Sequence, residues 1–259
     1  MMKYGRLNLV TLYTLVDREV RRFLRIWSQT LLPSAITMAL YFLIFGNLIG
    51  PRVGLIHGVP YIEYIVPGLI IMSVLTNAYG NTVASFYGQR FQRSIEEMVV
   101  APMPAWVILS GFVLGGVLRG LSVGVIVTLV ALFFTRIQIH SFTVIITVAV
   151  LTTLVFSAAG MINGVYAKKF DDVNIVPVFV LTPLSYLGGI FYSLDMLHGV
   201  GQILSYLNPI FYIVNAFRYG FIGVSDVDVL PAILVTTGVA VVLLAQAWRL
   251  IHKGVGIRT

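Results

Sequence analysis

The sequence contains no cysteine, and only 10% of its 259 residues are charged. The missing cysteine excludes a disulfide scaffold, thiol catalysis and thiolate-bound zinc or iron–sulfur clusters. A soluble domain has roughly 25% charged residues, whereas here 58% are apolar and the mean hydropathy is +0.94. Disorder is excluded as well, because it needs low hydrophobicity and high net charge. These features indicate an integral membrane protein.

Six stretches reach the ~20 mostly apolar residues that a membrane-spanning helix needs. We expect spans near residues 30–49, 65–86, 105–134, 142–166, 174–191 and 230–250. The apolar stretch 196–217 is not counted, because Asn208-Pro209 divides it into two short pieces. Pieces of that length fit re-entrant or interfacial helices. The sequence therefore predicts an all-α integral membrane fold with six transmembrane helices and re-entrant helices before the last span.

Positive charge is concentrated on one side of this topology. Six spans place both termini on the same side, and 13 of the 17 basic residues fall there, against three on the other side. Arg119 alone lies inside a span. Because basic loops stay in the cytoplasm, we expect both termini to be cytoplasmic in a multi-pass protein of a bacterial inner membrane. A seventh span would export the basic C-terminus, which this rule disfavours.

The chain is expected to divide into residues 1–29, an amphipathic interfacial helix, and residues 30–259, the transmembrane domain. Apolar residues recur in the first segment at the helical spacing of three and four, at Leu9, Leu12, Val16, Val20, Phe23 and Trp27. The opposite face carries Arg18, Arg21, Arg22 and Arg25. Such a helix lies in the cytoplasmic interface, as a membrane anchor or as a partner-docking element.

Two charged cytoplasmic loops follow the second and fourth spans. In the first, a short helix would expose Arg90, Arg93, Glu96 and Glu97 before two prolines that stop it. The alternative is a solvated loop, which such charge runs usually form. The second loop, residues 168–172, is short and charged and holds one aromatic residue.

Several kinds of catalytic site are missing from the sequence. It has neither a phosphate-binding loop nor paired histidines for a metal, and no Asp or Glu lies in the middle of a span. Gly120-Leu121-Ser122-Val123-Gly124 matches a hydrolase nucleophile motif, but it falls inside an apolar helix instead of at a strand-to-helix turn. We therefore expect no enzyme activity, no catalytic residue and no metal in this chain. Arg119 has either a structural role or binds an anionic substrate.

Glycine pairs at a spacing of four predict close helix packing within the spans. They are Gly111 with Gly115, Gly120 with Gly124, and Gly160 with Gly164. At 100° per residue, the two pairs of the third span point to roughly opposite faces.

Several runs, in order, resemble the ABC-2 type transporter permeases over essentially the full length. They are Phe45-Gly46-Asn47-Leu48-Ile49-Gly50, Ala101-Pro102-Met103-Pro104, Lys169-Phe170-Asp171-Asp172, and Asn208-Pro209 with Phe217-Arg218-Tyr219-Gly220. The resemblance implies a type V-like exporter fold with a cytoplasmic coupling helix. It also implies an ATP-driven exporter of an amphipathic, lipid-like, glycan-like or drug-like substrate. A secondary transporter or channel is the alternative.

The resemblance also implies the partners. Two permease copies would pair, each docking an ABC ATPase subunit, and ATP and Mg would be bound by those subunits, with no cofactor in this chain. Membrane lipids would surround the pair, and no nucleic acid is expected. A heterodimer with a related permease stays open.

Site residues follow from the same resemblance. Coupling to the ATPase falls on Arg90, Arg93, Glu96, Glu97, Met98, Lys168, Asp171 and Asp172. The translocation path would be lined by Asn77, Tyr79, Asn81, Thr182, Ser185 and Tyr186. The outer gate would include Asn208, Pro209 and Arg218. The polar path residues would equally suit hydrogen bonds between helices.

Overall fold

The computed structural model describes residues 2–95 and 103–256, which are mainly helical. We label the helices α1 Met2–Arg25, α2 Trp27–Val53, α3 Tyr61–Phe91, α4 Ala105–Ala131, α5 Phe142–Tyr166, α6 170–186, α7 Val200–Leu207, α8 Pro209–Ile222 and α9 Val229–His252. Two short strands, β1 Leu55–Ile56 and β2 Val59–Pro60, pair antiparallel. Their turn, His57-Gly58, has positive φ at both residues, as a two-residue hairpin requires.

Five of the predicted spans are helices long and apolar enough to cross a membrane, namely α2, α3, α4, α5 and α9. The remaining predicted span, 174–191, corresponds to α6, which has 17 residues. At ~1.5 Å per residue it is roughly 26 Å long, against a hydrocarbon core of ~30 Å. Its middle is a π-helical segment beginning at Pro177, where proline supplies no backbone donor. The helix lengths thus support five spans and leave the sixth as a prediction.

Helix α3 is the centre of the molecule. In its most apolar window 72% of the residues are buried, against 11% for α2 and 17% for α9. It packs against α4, α5 and α8, and the main apolar core forms around its side chains from Tyr61 to Val83. Helices α2 and α9 therefore lie at the periphery, with apolar faces turned outward.

The glycine pairs allow the closest helix contacts, as predicted. In α4, Gly111 and Gly115 face Leu15 and Glu19 of α1. Gly120 and Gly124 face α3, where both lie against Val74. The two pairs therefore serve different neighbours, and α1 packs directly on α4.

Replacing Gly160 by alanine should separate α5 from α3. A Cβ at this position would lie 2.6 Å from the backbone oxygen of Tyr79, which cannot rotate away. Overpacking of this kind costs about 1–3 kcal/mol, so we expect a lower melting temperature in detergent. The matched control is Gly80→Ala in α3, where a Cβ has no described atom within 4 Å. Equal melting temperatures for the two variants would contradict the close packing of α3 and α5.

Candidate functional site

The two predicted cytoplasmic contacts meet on one surface, which joins the end of α3 to residues 167–172. Arg90 Nη1 donates hydrogen bonds to the carbonyl oxygens of Gly164 at 3.1 Å, Val165 at 2.7 Å and Ala167 at 2.9 Å. These carbonyls lie at the C-terminus of α5, where the last turn lacks helical donors and the helix dipole favours a cation. Arg90 therefore fixes the two segments to each other. We call this region the basic-end surface.

Three aromatic residues complete the basic-end surface. The Phe170 ring contacts Phe91 with centroids 4.9 Å apart and Tyr87 at 5.1 Å. The Tyr87 hydroxyl donates to the carbonyl of Lys168 at 3.3 Å. Phe91 and Phe170 nevertheless remain 63% and 59% exposed. An exposed aromatic pair held on a fixed backbone is typical of a protein-binding surface.

The charged residues of this surface have different roles. Asp172 Oδ2 accepts the backbone N–H groups of Lys168 at 2.8 Å and Lys169 at 3.0 Å. These two hydrogen bonds lower the pKa of Asp172, so its carboxylate stays ionised and caps α6. Lys168 and Asp171 are exposed, and so is Arg93, which adopts a positive φ just after α3.

The predicted coupling set is thus partly structural. Arg90 and Asp172 hold the backbone, whereas the exposed Arg93, Lys168 and Asp171 form no ion pair with the described residues. The expectation that a short helix would expose Arg90 is wrong, because the side chain is half-buried on three carbonyls. Glu96, Glu97 and Met98, in the second half of the predicted coupling helix, lie outside the described residues.

A polar seam runs along α3 at every fourth residue: Ser73, Asn77, Asn81, Ser85 and Gln89. Asn77 donates to Ser34 Oγ of α2 at 3.0 Å. Its amide oxygen accepts a hydrogen bond from Arg119 at 3.2 Å. Arg119 also donates to the backbone oxygen of Thr30 at 3.3 Å. This part of the seam joins three helices and gives Arg119 a structural role.

The seam ends in a buried ion pair with α1 that the sequence did not reveal. Glu19 is fully buried and lies 3.0 Å from Arg22. Ser85 Oγ donates to the Glu19 carboxylate at 2.7 Å, and Arg22 donates to Asn81 Oδ1 at 2.8 Å. The signal in the sequence was that Glu19, unlike Asp17, lies four residues from both Leu15 and Phe23, on one face of the helix.

The side of α1 that packs against the rest of the chain shares only part of the predicted apolar stripe, since Phe23 belongs to both. Leu15, Glu19 and Phe23 are buried, whereas Leu9 and Trp27, two ends of the predicted apolar stripe, remain 62% and 57% exposed. The reason is the fit to α4, whose Gly111 and Gly115 receive side chains of α1. The helix itself, at Met2–Arg25, falls within the predicted segment.

The predicted path residues have two kinds of surroundings. Asn77 and Asn81 are engaged with α1, α2 and α4, and Tyr79 and Ser185 are buried. On α6, by contrast, Thr182 and Tyr186 are exposed, one helical turn apart. Within one chain these residues do not form a continuous lining.

The predicted outer-gate residues anchor the segment between α6 and α8. Asn208 Oδ1 accepts the N–H of Ile210 at 3.0 Å and so caps α8, which Pro209 begins, while its amide donates to the Leu184 carbonyl at 2.6 Å. Arg218, counted from the sequence among the three basic residues of the outer side, is fully buried in α8. Its position follows from packing that the sequence pattern does not show.

Arg218 has partners in three parts of the chain. It donates to the carbonyl oxygen of Tyr64 at 3.2 Å and to that of Gly189, and its guanidinium lies 3.9 Å from the Tyr64 ring centroid. Asp226 lies 3.9 Å away. Asp226 in turn accepts from Ser193 Oγ at 2.8 Å and lies 3.3 Å from His57 Nε2. This cluster ties the β-hairpin and the segment before α7 to α3 and α8.

Comparison with known proteins agrees with this architecture. The sequence profile of the ABC-2 type transporter family matches residues 10–222. The chain is 54% identical over 255 residues to the inner membrane transport permease YadH of Escherichia coli K12, covering 96% of this chain and 98% of that protein. It is 26% identical over 191 residues to nodulation protein J of Rhizobium leguminosarum bv. trifolii, covering 73% of each. The chain belongs to the ABC-2 type transporter family, as a multi-pass inner membrane transport permease.

Proposed function

We propose that this permease is the membrane subunit of an ATP-driven exporter. It would move an amphipathic, lipid-like, glycan-like or drug-like substrate out of the cytoplasm or the inner leaflet. Family membership implies an ABC ATPase partner and a non-catalytic role for this chain. The observation that carries the proposal is the basic-end surface, where hydrogen bonds join the end of α3 to residues 167–172 beside exposed charge and aromatic rings. A moving ATPase can act on the spans only through such a region.

The proposed topology has six spans with both termini in the cytoplasm. A reporter fused after His252 should then be cytoplasmic, and a cysteine at the exposed His198 should react with an impermeant thiol reagent from outside. The chain has no cysteine of its own, so the labelling has no background. A periplasmic C-terminal reporter would contradict the topology, because it requires an odd number of spans.

The proposed assembly contains two permease copies and two ATPase subunits. Helices α2 and α6 leave apolar surface outward, including Ile36, Leu40 and Phe179, and the exposed Thr182 and Tyr186 lie on α6. A second copy would cover such surface and close a path that one chain leaves open. Native mass of the detergent-extracted complex should correspond to a 2:2 assembly. A 1:1 particle with full transport would contradict it.

The ATPase should dock on the basic-end surface and the segment after it. Replacing Arg93, Glu96 or Glu97 by alanine removes a charge that, under this proposal, pairs with the partner. An interfacial charge left buried and unpaired costs about 2–5 kcal/mol, so we expect loss of co-purified ATPase or loss of coupling between hydrolysis and transport. Complex yield, ATPase rate and transport would be measured for each variant.

The matched control is Glu63→Ala, because Glu63 lies in the first turn of α3, at the opposite end of the helix from Arg90. All variants should insert into the membrane normally. If the Arg93, Glu96 and Glu97 variants assemble and transport like the parent, this region is only a solvated connection. A secondary transporter or channel would instead show transport in proteoliposomes that does not depend on ATP or on the ATPase.

A further inference from the structure

A groove of about 690 Å³ lies between α1 and the basic end of α3. Four arginines dominate its lining, which consists of Thr14, Asp17, Arg18, Arg21, Arg22, Arg25, Ile26 and Gln89. We call it the arginine groove. It is separate from the basic-end surface, which uses Arg90 and the residues beyond α5.

The arginine groove carries more positive charge than its own carboxylates neutralise. Asp17 pairs with Arg21 at 2.8 Å, and the buried Glu19 pairs with Arg22 at 3.0 Å. Arg18 is 4.0 Å from the same Glu19. Arg25 forms no ion pair with the described residues. Four arginines against two carboxylates leave a formal charge of +2, which matches one phosphate monoester at about −1.5 to −2.

Two arginines of the groove have charge or donors that the described residues do not fully satisfy. Burial lowers the pKa of Arg18, against the opposing effect of Glu19, and Arg22 disfavours its charge further. The buried Nε of Arg22 donates to no atom of the described residues. A bound phosphate would accept hydrogen bonds from guanidinium groups, which suit its oxygens in paired geometry.

The position of the arginine groove selects the kind of phosphate. Ile26 directly precedes α2, which begins at Trp27, and Gln89 lies two residues before the end of α3 at Phe91. The groove is therefore where two spans meet the membrane surface, on an interfacial helix. Lipid headgroups lie at that depth.

We propose that the arginine groove binds the phosphate-bearing headgroup of an anionic membrane lipid. The proposed topology places this lipid in the inner leaflet, and only the choice of leaflet rests on that topology. Arg18 and Arg25 supply the unneutralised charge, and Arg22 supplies a free donor. The lipid chains extend into the bilayer beside α2, whose apolar face is turned outward.

Lipid binding to the delipidated full-length chain tests the proposal, with native mass spectrometry as the readout. Phosphatidic acid should bind saturably, and diacylglycerol with the same chains should not. The double variant Arg18→Gln/Arg25→Gln should weaken phosphatidic acid binding by about tenfold or more, since two charged hydrogen-bond donors are lost. The matched control is Arg6→Gln, because Arg6 is exposed on the same helix but outside the groove.

Three results would overturn the proposal. They are equal binding of diacylglycerol, equal loss in Arg6→Gln, and binding of inorganic phosphate as tight as that of the lipid. If the double variant melts at a lower temperature than the parent, the single variant Arg25→Gln decides, because Arg25 is exposed and has no described ion pair. The test needs no ATPase, so its failure leaves the proposed exporter function intact, and failure of that function leaves lipid binding measurable.

Discussion

Replacing Glu19 by glutamine should destabilise the protein by about 3–5 kcal/mol, the usual cost of breaking a buried ion pair on one side. The carboxylate is fully buried and accepts hydrogen bonds from Arg22 and Ser85. Without it, Asn81 is the one residue among those described that still accepts from the half-buried Arg22 guanidinium. We expect α1 to detach from α4, a lower melting temperature, and faster tryptic cleavage at the arginines of α1.

The control for Glu19 is Asp17→Asn on the same helix. Asp17 pairs with Arg21 at 2.8 Å, but that pair is exposed to solvent, and exposed pairs contribute little. The double variant Glu19→Gln/Arg22→Gln should recover part of the lost stability, because it leaves no unpaired charge. If Glu19→Gln melts and is cleaved like Asp17→Asn, α1 is not held by this ion pair.

The sequence predicted well those features that depend on long local patterns. Long apolar runs define the spans, and the predicted span 142–166 coincides with α5 at both ends. The glycine spacing predicted the close contacts of α4, because small residues four apart necessarily lie on one face of a helix. For Asn77 and Asn81 the sequence left two roles open, lining the path or hydrogen bonding between helices. In the single chain both side chains make hydrogen bonds between helices.

Features that depend on which helices meet could not be predicted in the same way. A periodic pattern shows that α1 is amphipathic, but the glycine surface of α4 decides that Glu19 is turned inward. In the sequence, Arg90 stands in a charged stretch typical of a cytoplasmic loop. In the structure its guanidinium donates to backbone carbonyls at the end of α5, about 75 residues further along the chain. The bounds of α6 were not predicted for the same reason. The predicted span was 174–191 and the helix covers 170–186, because its end depends on where the chain turns back toward α8.

Arg218 should be the most sensitive charged residue at the other end of the molecule. Replacing it by glutamine removes donors from the carbonyls of Tyr64 and Gly189. It also takes the guanidinium away from Asp226, which is only 4% exposed and keeps His57 and Ser193 as neighbours. Removing one partner from a buried group of charges costs about 3–5 kcal/mol. Because the lost contacts fix the segment between α6 and α8, we expect this segment to open before the spans separate.

Thiol labelling measures that opening directly. A cysteine replacing Ile190, which is fully buried beside Gly189, should label slowly in the parent and at least about tenfold faster with Arg218→Gln, since about 1.4 kcal/mol already gives a tenfold change. Labelling of His198→Cys, already exposed, should not change. Arg136→Gln, at an exposed arginine between α4 and α5, is the matched control. Slow labelling of Ile190→Cys in the Arg218→Gln variant would contradict this prediction. It would show that apolar packing holds the segment between α6 and α8 closed without the Arg218 guanidinium.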